Sequence, residues 1–242
     1  MNMQLEGHVA LVTGGTRGIG HAIACKLATL GAEVIVTGRK SDGAEAVPDF
    51  CYIPVDFSDK SQLESFAAQV EQLQGLSILV NNAGLNRIHT FDAFPLQDYE
   101  ELQQVNLHAP YRVAQAAARN MLAADCRGRI LNIASIWATH TKPGRSGYCT
   151  AKAGLLGMTR AMATDLAYAG ILVNALSPGF IETQLTLQTL GEEGMREMQS
   201  AIPLGRLGRP EEIAEFASFL VGPGNTYMTG QNIIVDGGFT NV

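Results

Sequence analysis

No basic run interrupts this chain. Its 17 lysines and arginines are outnumbered by 23 aspartates and glutamates, and the formal net charge is −6. A phosphate-rich partner needs a positive footprint, so nucleic-acid binding is excluded. No apolar run approaches the roughly 20 residues that span a bilayer, so no membrane partner is expected. The opening residues Met1-Asn2-Met3-Gln4-Leu5-Glu6 lack a basic region followed by an apolar core, so no secretory signal is expected either. The four cysteines (Cys25, Cys51, Cys126 and Cys149) form no C-x-x-C pair and read as reduced thiols of a cytoplasmic protein. The five histidines show no H-E-x-x-H or other ligand spacing, so no catalytic metal is expected. What remains is a chain of 46% hydrophobic and 17% charged residues, the balance of a soluble domain with a large core.

Short β-branched runs alternate with longer helical stretches. Residues 8–13, 33–37, 51–55, 77–80, 129–134, 171–176 and 232–235 read as strands. Pro54 puts the third at a sheet edge or a strand end. Helices are expected over 18–30, 59–73, 96–124 (bent around Asn106 and Pro110), 148–167 and from Pro210 onward, with a less apolar excursion at about 180–205. This alternation predicts one α/β domain over 1–242. It is a doubly wound Rossmann fold with a seven-stranded parallel sheet and helices on both faces.

Thr13-Gly14-Gly15-Thr16-Arg17-Gly18-Ile19-Gly20 follows the first strand and opens a helix. Glycines there let the backbone approach a pyrophosphate, which the helix N-terminus then stabilises. At the tip of the second strand, an acid would hold a ribose 2′-hydroxyl, whereas an arginine accommodates a 2′-phosphate. The tip reads Thr37-Gly38-Arg39 without a carboxylate, and Arg17 lies inside the glycine turn. NADP(H) is therefore expected in preference to NAD(H).

Tyr148 and Lys152 lie four residues apart, so one helix face carries both. An ammonium beside a phenol favours the phenolate, so Lys152 is expected to lower the Tyr148 pKa toward the range where a tyrosine exchanges protons.

Together these residues resemble the short-chain dehydrogenase/reductase family along essentially the whole chain. Residues 13–20 look like its cofactor turn, Asn81-Asn82-Ala83-Gly84 like its strand-four motif, and Pro178-Gly179 like its turn after strand six. Asn106, Ser135, Tyr148 and Lys152 fall in the order of its catalytic tetrad. The resemblance implies that Ser135 orients a carbonyl and Tyr148 is its acid/base. It also implies that Lys152 holds the nicotinamide ribose and Asn106 places a water that relays protons to Lys152. Gly14, Thr16, Arg17, Gly18, Ile19, Gly20, Arg39, Asp56, Phe57, Asn82, Ala83, Gly84, Pro178, Gly179, Ile181 and Thr183 would join Tyr148 and Lys152 in binding the cofactor. Members of this branch are similar in forming homotetramers.

Substrate recognition belongs to variable loops. Asn86, Arg87, Trp137, Arg145 and Phe180 are the main candidates, with Leu85, Ile136, His140, Lys142, Gln184 and Leu185 beside them. Arg87, Lys142 and Arg145 could collect a carboxylate or phosphate. The stretches Ser177-Pro178-Gly179-Phe180-Ile181-Glu182-Thr183 and Ile202-Pro203-Leu204-Gly205-Arg206-Leu207 resemble 3-oxoacyl-(acyl-carrier-protein) reductases. Cys126 and Ala169 stand where arginines would help to dock the carrier, so an acyl carrier protein is not the favoured partner. Ser135-Ile136-Trp137, Lys142-Pro143-Gly144-Arg145-Ser146 and the final Asp236-Gly237-Gly238-Phe239-Thr240-Asn241-Val242 look like keto-sugar reductases of surface-polysaccharide or flagellin-modification pathways. A scaffold that senses NADP(H) without turnover is the non-enzymatic alternative, and the intact tetrad argues against it.

Overall fold

A computed structural model describes residues 4–40, 47, 49–183, 186, 194 and 196–242. Seven strands form one parallel sheet: β1 (Val9–Val12), β2 (Glu33–Gly38), β3 (Cys51–Pro54), β4 (Leu76–Asn81), β5 (Arg129–Ile133), β6 (Leu172–Pro178) and β7 (Asn232–Val235). Their order is β3-β2-β1-β4-β5-β6-β7, so β1 lies between β2 and β4 with Val12 level with Val36 and Val80. The chain winds outward from β1 in both directions, and such a reversal opens a crevice at the carboxyl ends of the strands. β3 is the edge, and Pro54 closes it, as the proline predicts.

Helices cover both faces. α1 (Gly18–Thr29) buries Gly20, Ile23, Ala24 and Leu27, one stripe at helical spacing, against α6 (Pro210–Val221), which offers Ile213, Ala214 and Ala217. On the other face lie α2 (Lys60–Val70), α4 (Ala109–Ala123) and α5 (Ser146–Leu166), packed over Leu11, Leu79 and Ile130. Each fully buried Leu or Ile in these layers contributes about 1.5–3 kcal/mol relative to exposure. Asp59 caps α2 by accepting from the Ser61 and Gln62 backbone amides, and the Ser61 hydroxyl and Gln62 side-chain amide, together with those bonds, hold its carboxyl down to about 2. At the other end of α2, the Asn120 amide donates to the carbonyls of Val70, Glu71 and Leu73.

The bend expected within 96–124 is a π turn. α3 (Leu96–Gln103) passes into a wide turn over Gln104–His108, and α4 follows with Pro110 in its first turn, where a missing N–H costs nothing. α5 begins at Ser146, two residues earlier than the sequence predicts, after Gly144 turns the chain with φ +79°. Among the described residues no helix is long and apolar enough to cross a membrane.

Candidate active site

The loops after β1, β4, β5 and β6 meet at the carboxyl edge of the sheet. After β1 the glycine turn is tied to both neighbouring strands. The Gly14 amide donates to Thr37 Oγ1 (3.1 Å), and Thr13 Oγ1 accepts from the amides of Asn82 (3.0 Å) and Ala83 (3.1 Å). Asn82 Nδ2 donates back to the carbonyls of Thr13 and Gly14, both at 3.0 Å. The strand-four motif thus clamps the turn. At Gly20 a Cβ would lie 2.3 Å from Asn82 Nδ2, and Gly18 has φ +57°, so both positions require glycine. α1 starts at Arg17 with no side-chain cap and no acid in its first turn. Its leading amides are left to an anion.

Arg17 and Arg39 are both exposed, and neither has an ion-pair partner among the described residues. Glu33 starts β2 at the opposite end from Arg39. Thr183 approaches Gly18, with its Cγ2 3.6 Å from where a Cβ would be. Asp56 follows β3, with Oδ1 held by the Ser58 amide and hydroxyl. Thr16 lies against Gly38, and Ile19 packs on the core. Gly84 faces Asn106, while Pro178 and Gly179 end β6, with the Gly179 amide bonded to the Val235 carbonyl.

Two expected cofactor side chains point elsewhere. Phe57 is buried against Phe66 with ring centroids 5.7 Å apart, because an apolar ring after β3 gains more in the core than at the rim. Ile181 is buried against Gly208. Gly208 exchanges backbone bonds with Phe180 and Glu182, and the alternation of a strand turns the Ile181 amide and carbonyl the other way. Only the backbone of Ile181 is left to face the cleft.

Ser135, Tyr148 and Lys152 converge. Ser135 follows β5, is 7% exposed, and its Oγ accepts from the Trp137 amide (3.2 Å). Tyr148 stands in the first turn of α5, near enough to the Ser135 hydroxyl for that group to favour its phenolate. Lys152, one turn on and 4% exposed, donates to the Ile133 carbonyl at 2.7 Å. Its Nζ lies 5.7 Å from the Tyr148 ring centroid. Under the site, Asn81 donates to Asn132 and Asn132 to Thr159, a buried amide ladder that pins α5 to β4 and β5.

Burial works against the expected effect of Lys152 on Tyr148. Burial pushes the Tyr148 phenol up, and the opposing influences are the Ser135 hydroxyl and the Arg145 guanidinium. Lys152 is itself pushed down to about 8 by burial, with no carboxylate to hold its charge. Asn106 also has a structural part. Fully buried in the π turn, it accepts from the Leu85 amide and donates to the Leu85 carbonyl, both at 2.8 Å. Its side chain braces the strand-four loop with one Oδ1 lone pair and one Nδ2 hydrogen, and the second of each remains.

Of the substrate candidates, Arg87 is engaged by Glu101 at 2.7 Å, with Asp98 at 4.0 Å. Asn86 keeps a buried Oδ1 without a partner. Trp137 and Phe180 form an aromatic cluster with Phe239, at centroid distances of 6.0, 6.2 and 5.1 Å. Phe239 was not a candidate in the sequence. It arrives from the far end of the chain, and no local spacing signals that. Gln184 and Leu185 lie outside the described residues.

The family described as "Enoyl-(Acyl carrier protein) reductase" matches residues 14–240. The chain is 41% identical to 3-oxoacyl-(acyl-carrier-protein) reductase FabG of Aquifex aeolicus, covering 98% of this chain and 99% of that protein. It is 38% identical to the enzyme of the same name from Vibrio cholerae, covering 98% of each. Among solved structures, a gluconate 5-dehydrogenase from Burkholderia cenocepacia in complex with NADP and tartrate superposes with a TM-score of 0.91 at 33% identity, covering 100% of this chain and 98% of that one. A candidate NAD(P)-dependent gluconate 5-dehydrogenase from Beutenbergia cavernae, with NADP at low occupancy, gives 0.95 at 32% identity over the whole of both chains.

Proposed function

The chain belongs to the short-chain dehydrogenase/reductase family of oxidoreductases, and on that premise we propose that it interconverts a carbonyl and a secondary alcohol with NADP(H), using Tyr148 as acid/base. The observation that carries this reading is the meeting of Ser135, Tyr148 and Lys152 beside a clamped glycine turn and an uncapped helix N-terminus. Those residues fit a dinucleotide. The leading amides of α1 would take the pyrophosphate, Arg17 and Arg39 the 2′-phosphate, and Lys152 the nicotinamide ribose. When bound, the cofactor supplies or accepts a hydride.

The chain's own residues do the rest. The Ser135 and Tyr148 hydroxyls hydrogen-bond the substrate oxygen, and stabilise it most as negative charge develops there. Tyr148 then gives up its proton. The Ser135 hydroxyl and the Arg145 guanidinium oppose the rise that burial gives this phenol, and so favour release of its proton. Lys152 contributes its position, fixed by Ile133, and a charge that burial makes labile.

The reading of the chain as a 3-oxoacyl-(acyl-carrier-protein) reductase is supported by the identity of its relatives. We further propose one domain over 1–242, a cytoplasmic location and a homotetramer. Exposed apolar side chains such as Tyr111, Tyr168, Phe216 and Tyr227 support burial between subunits. Light scattering of the purified protein at four times the chain mass would bear this out, and a monomer would refute it.

The test of function is NADPH oxidation with acetoacetyl-coenzyme A beside a panel of keto-sugars, with Tyr148→Phe as the blank. Tyr148→Phe is expected to lose about 10³–10⁴-fold in turnover while keeping cofactor affinity. Full activity in that variant sinks the mechanism.

A further inference from the structure

Arg145 is 7% exposed, and its buried Nε has no partner. No carboxylate pairs with it, and its side chain makes no hydrogen bond among the described residues. Arg129 shares a buried Nε without a partner, yet its terminal nitrogens donate to the carbonyls of Arg127, Gly128, Gly170 and Asn225, and Arg145 has no such bonds among the described residues. A buried guanidinium without a counter-charge is costly, and a chain that keeps one has a use for it.

Lys142 stands nearby, half-buried, and the two cations repel. Glu197 is the acid whose field reaches Lys142, yet it lies outside ion-pair distance. The Lys142 ammonium sits 5.6 Å from the Trp137 ring centroid and 5.7 Å from that of Phe180. Arg145 precedes Tyr148 by three residues, and its charge is felt by the phenol. Trp137 follows Ser135 by two residues and is bonded to its hydroxyl. The cations and the aromatic wall therefore flank the place where the substrate oxygen must bind. With Arg87 committed to Glu101, Arg145 and Lys142 are, among the described residues, the cations left at this mouth.

Resting on the oxidoreductase reading above, we propose that the substrate carries a carboxylate close to its reacting carbon. That carboxylate seats between Arg145 and Lys142 while the carbon skeleton lies on the Trp137–Phe180–Phe239 wall. The substrate class is an oxo acid and its hydroxy acid, including polyhydroxy acids. A guanidinium fork and an ammonium together match a carboxylate. A neutral thioester offers Arg145 no counter-charge.

Trp137 is the single tryptophan of the chain, so its fluorescence reports on this wall alone. The experiment titrates the NADP-loaded enzyme with matched pairs: acetoacetate and its methyl ester, gluconate and glucitol, tartrate and threitol. NADP(H)-linked turnover is measured on the same pairs and on acetoacetyl-coenzyme A. At least one acid is expected to bind about 10- to 100-fold more tightly than its neutral partner. That ratio should fall about tenfold or more in Arg145→Gln and, separately, in Lys142→Gln. The second variant serves if the first folds poorly. No acid outbinding its neutral partner overturns the proposal, and so does a preference that survives both substitutions. Arginine-dependent acid binding without any turnover would leave the anion site standing and remove the oxidoreductase reading. Turnover of neutral ketones or the thioester with no acid preference would do the reverse.

Discussion

The Lys152 ammonium donates to the Ile133 carbonyl at 2.7 Å, across the seam between α5 and β5. Lys152 is thereby held by the strand that leads into Ser135, and the two are set in place by one piece of sheet. Burial without a counter-charge brings the Lys152 pKa from 10.5 down to about 8. The consequence for stability has a definite sign. Below about pH 8 the folded and unfolded chains both hold the proton, and the burial cost opposes folding in full. Between about 8 and 10.5 the unfolded chain keeps a proton that the folded chain has released, so stability rises with pH. Denaturant unfolding at pH 7.5 and 9.5 should show wild type gaining about 2 kcal/mol relative to Lys152→Met. An equal response of the two proteins would refute a depressed Lys152.

Asn106→Ala removes two 2.8 Å bonds to the Leu85 backbone at a fully buried position. The loss expected is about 2–4 kcal/mol, since the Leu85 amide and carbonyl are both left without a partner. Thermal and denaturant unfolding measure it. Unchanged stability with a large fall in kcat would instead leave Asn106 with the proton-relay role alone.

Gly20→Ala brings a methyl within 2.3 Å of Asn82 Nδ2 and 2.4 Å of the Gly14 carbonyl. Asn82 must then release the turn it clamps. The variant should lose about 1–3 kcal/mol in stability and about tenfold or more in cofactor affinity. Wild-type affinity in a calorimetric titration would show that the clamp is dispensable.

Arg39→Ala should weaken NADPH binding about tenfold and leave NADH nearly unaffected, because the guanidinium answers only the 2′-phosphate. Arg39 is exposed, so the difference should shrink as salt is added. Arg17→Ala should act in the same direction. If the wild-type protein holds NADH more tightly than NADPH, both assignments fall.

The alternation of strands and helices, the glycine turn and the Tyr148–Lys152 spacing were all legible in the sequence by itself. Each is a local pattern, with period 2 or 3.6 or a fixed offset, and local patterns survive being read one residue at a time. Pro54 at the sheet edge and the bend at Asn106 were legible for the same reason, since proline chemistry acts on its own neighbours. What local spacing does not carry is which partner a polar group finds across the fold. Arg87 meets Glu101, Lys152 meets Ile133, Asn106 meets Leu85, and Phe239 closes on Trp137 from the other end of the chain. Side chains of the same type, Arg87 and Arg145, end with opposite fates: one is paired on the surface of α3 and the other is buried alone at the head of α5. The tertiary structure decided that difference, because desolvation and pairing depend on what the packed chain brings within a few ångströms, and the order of residues leaves that open.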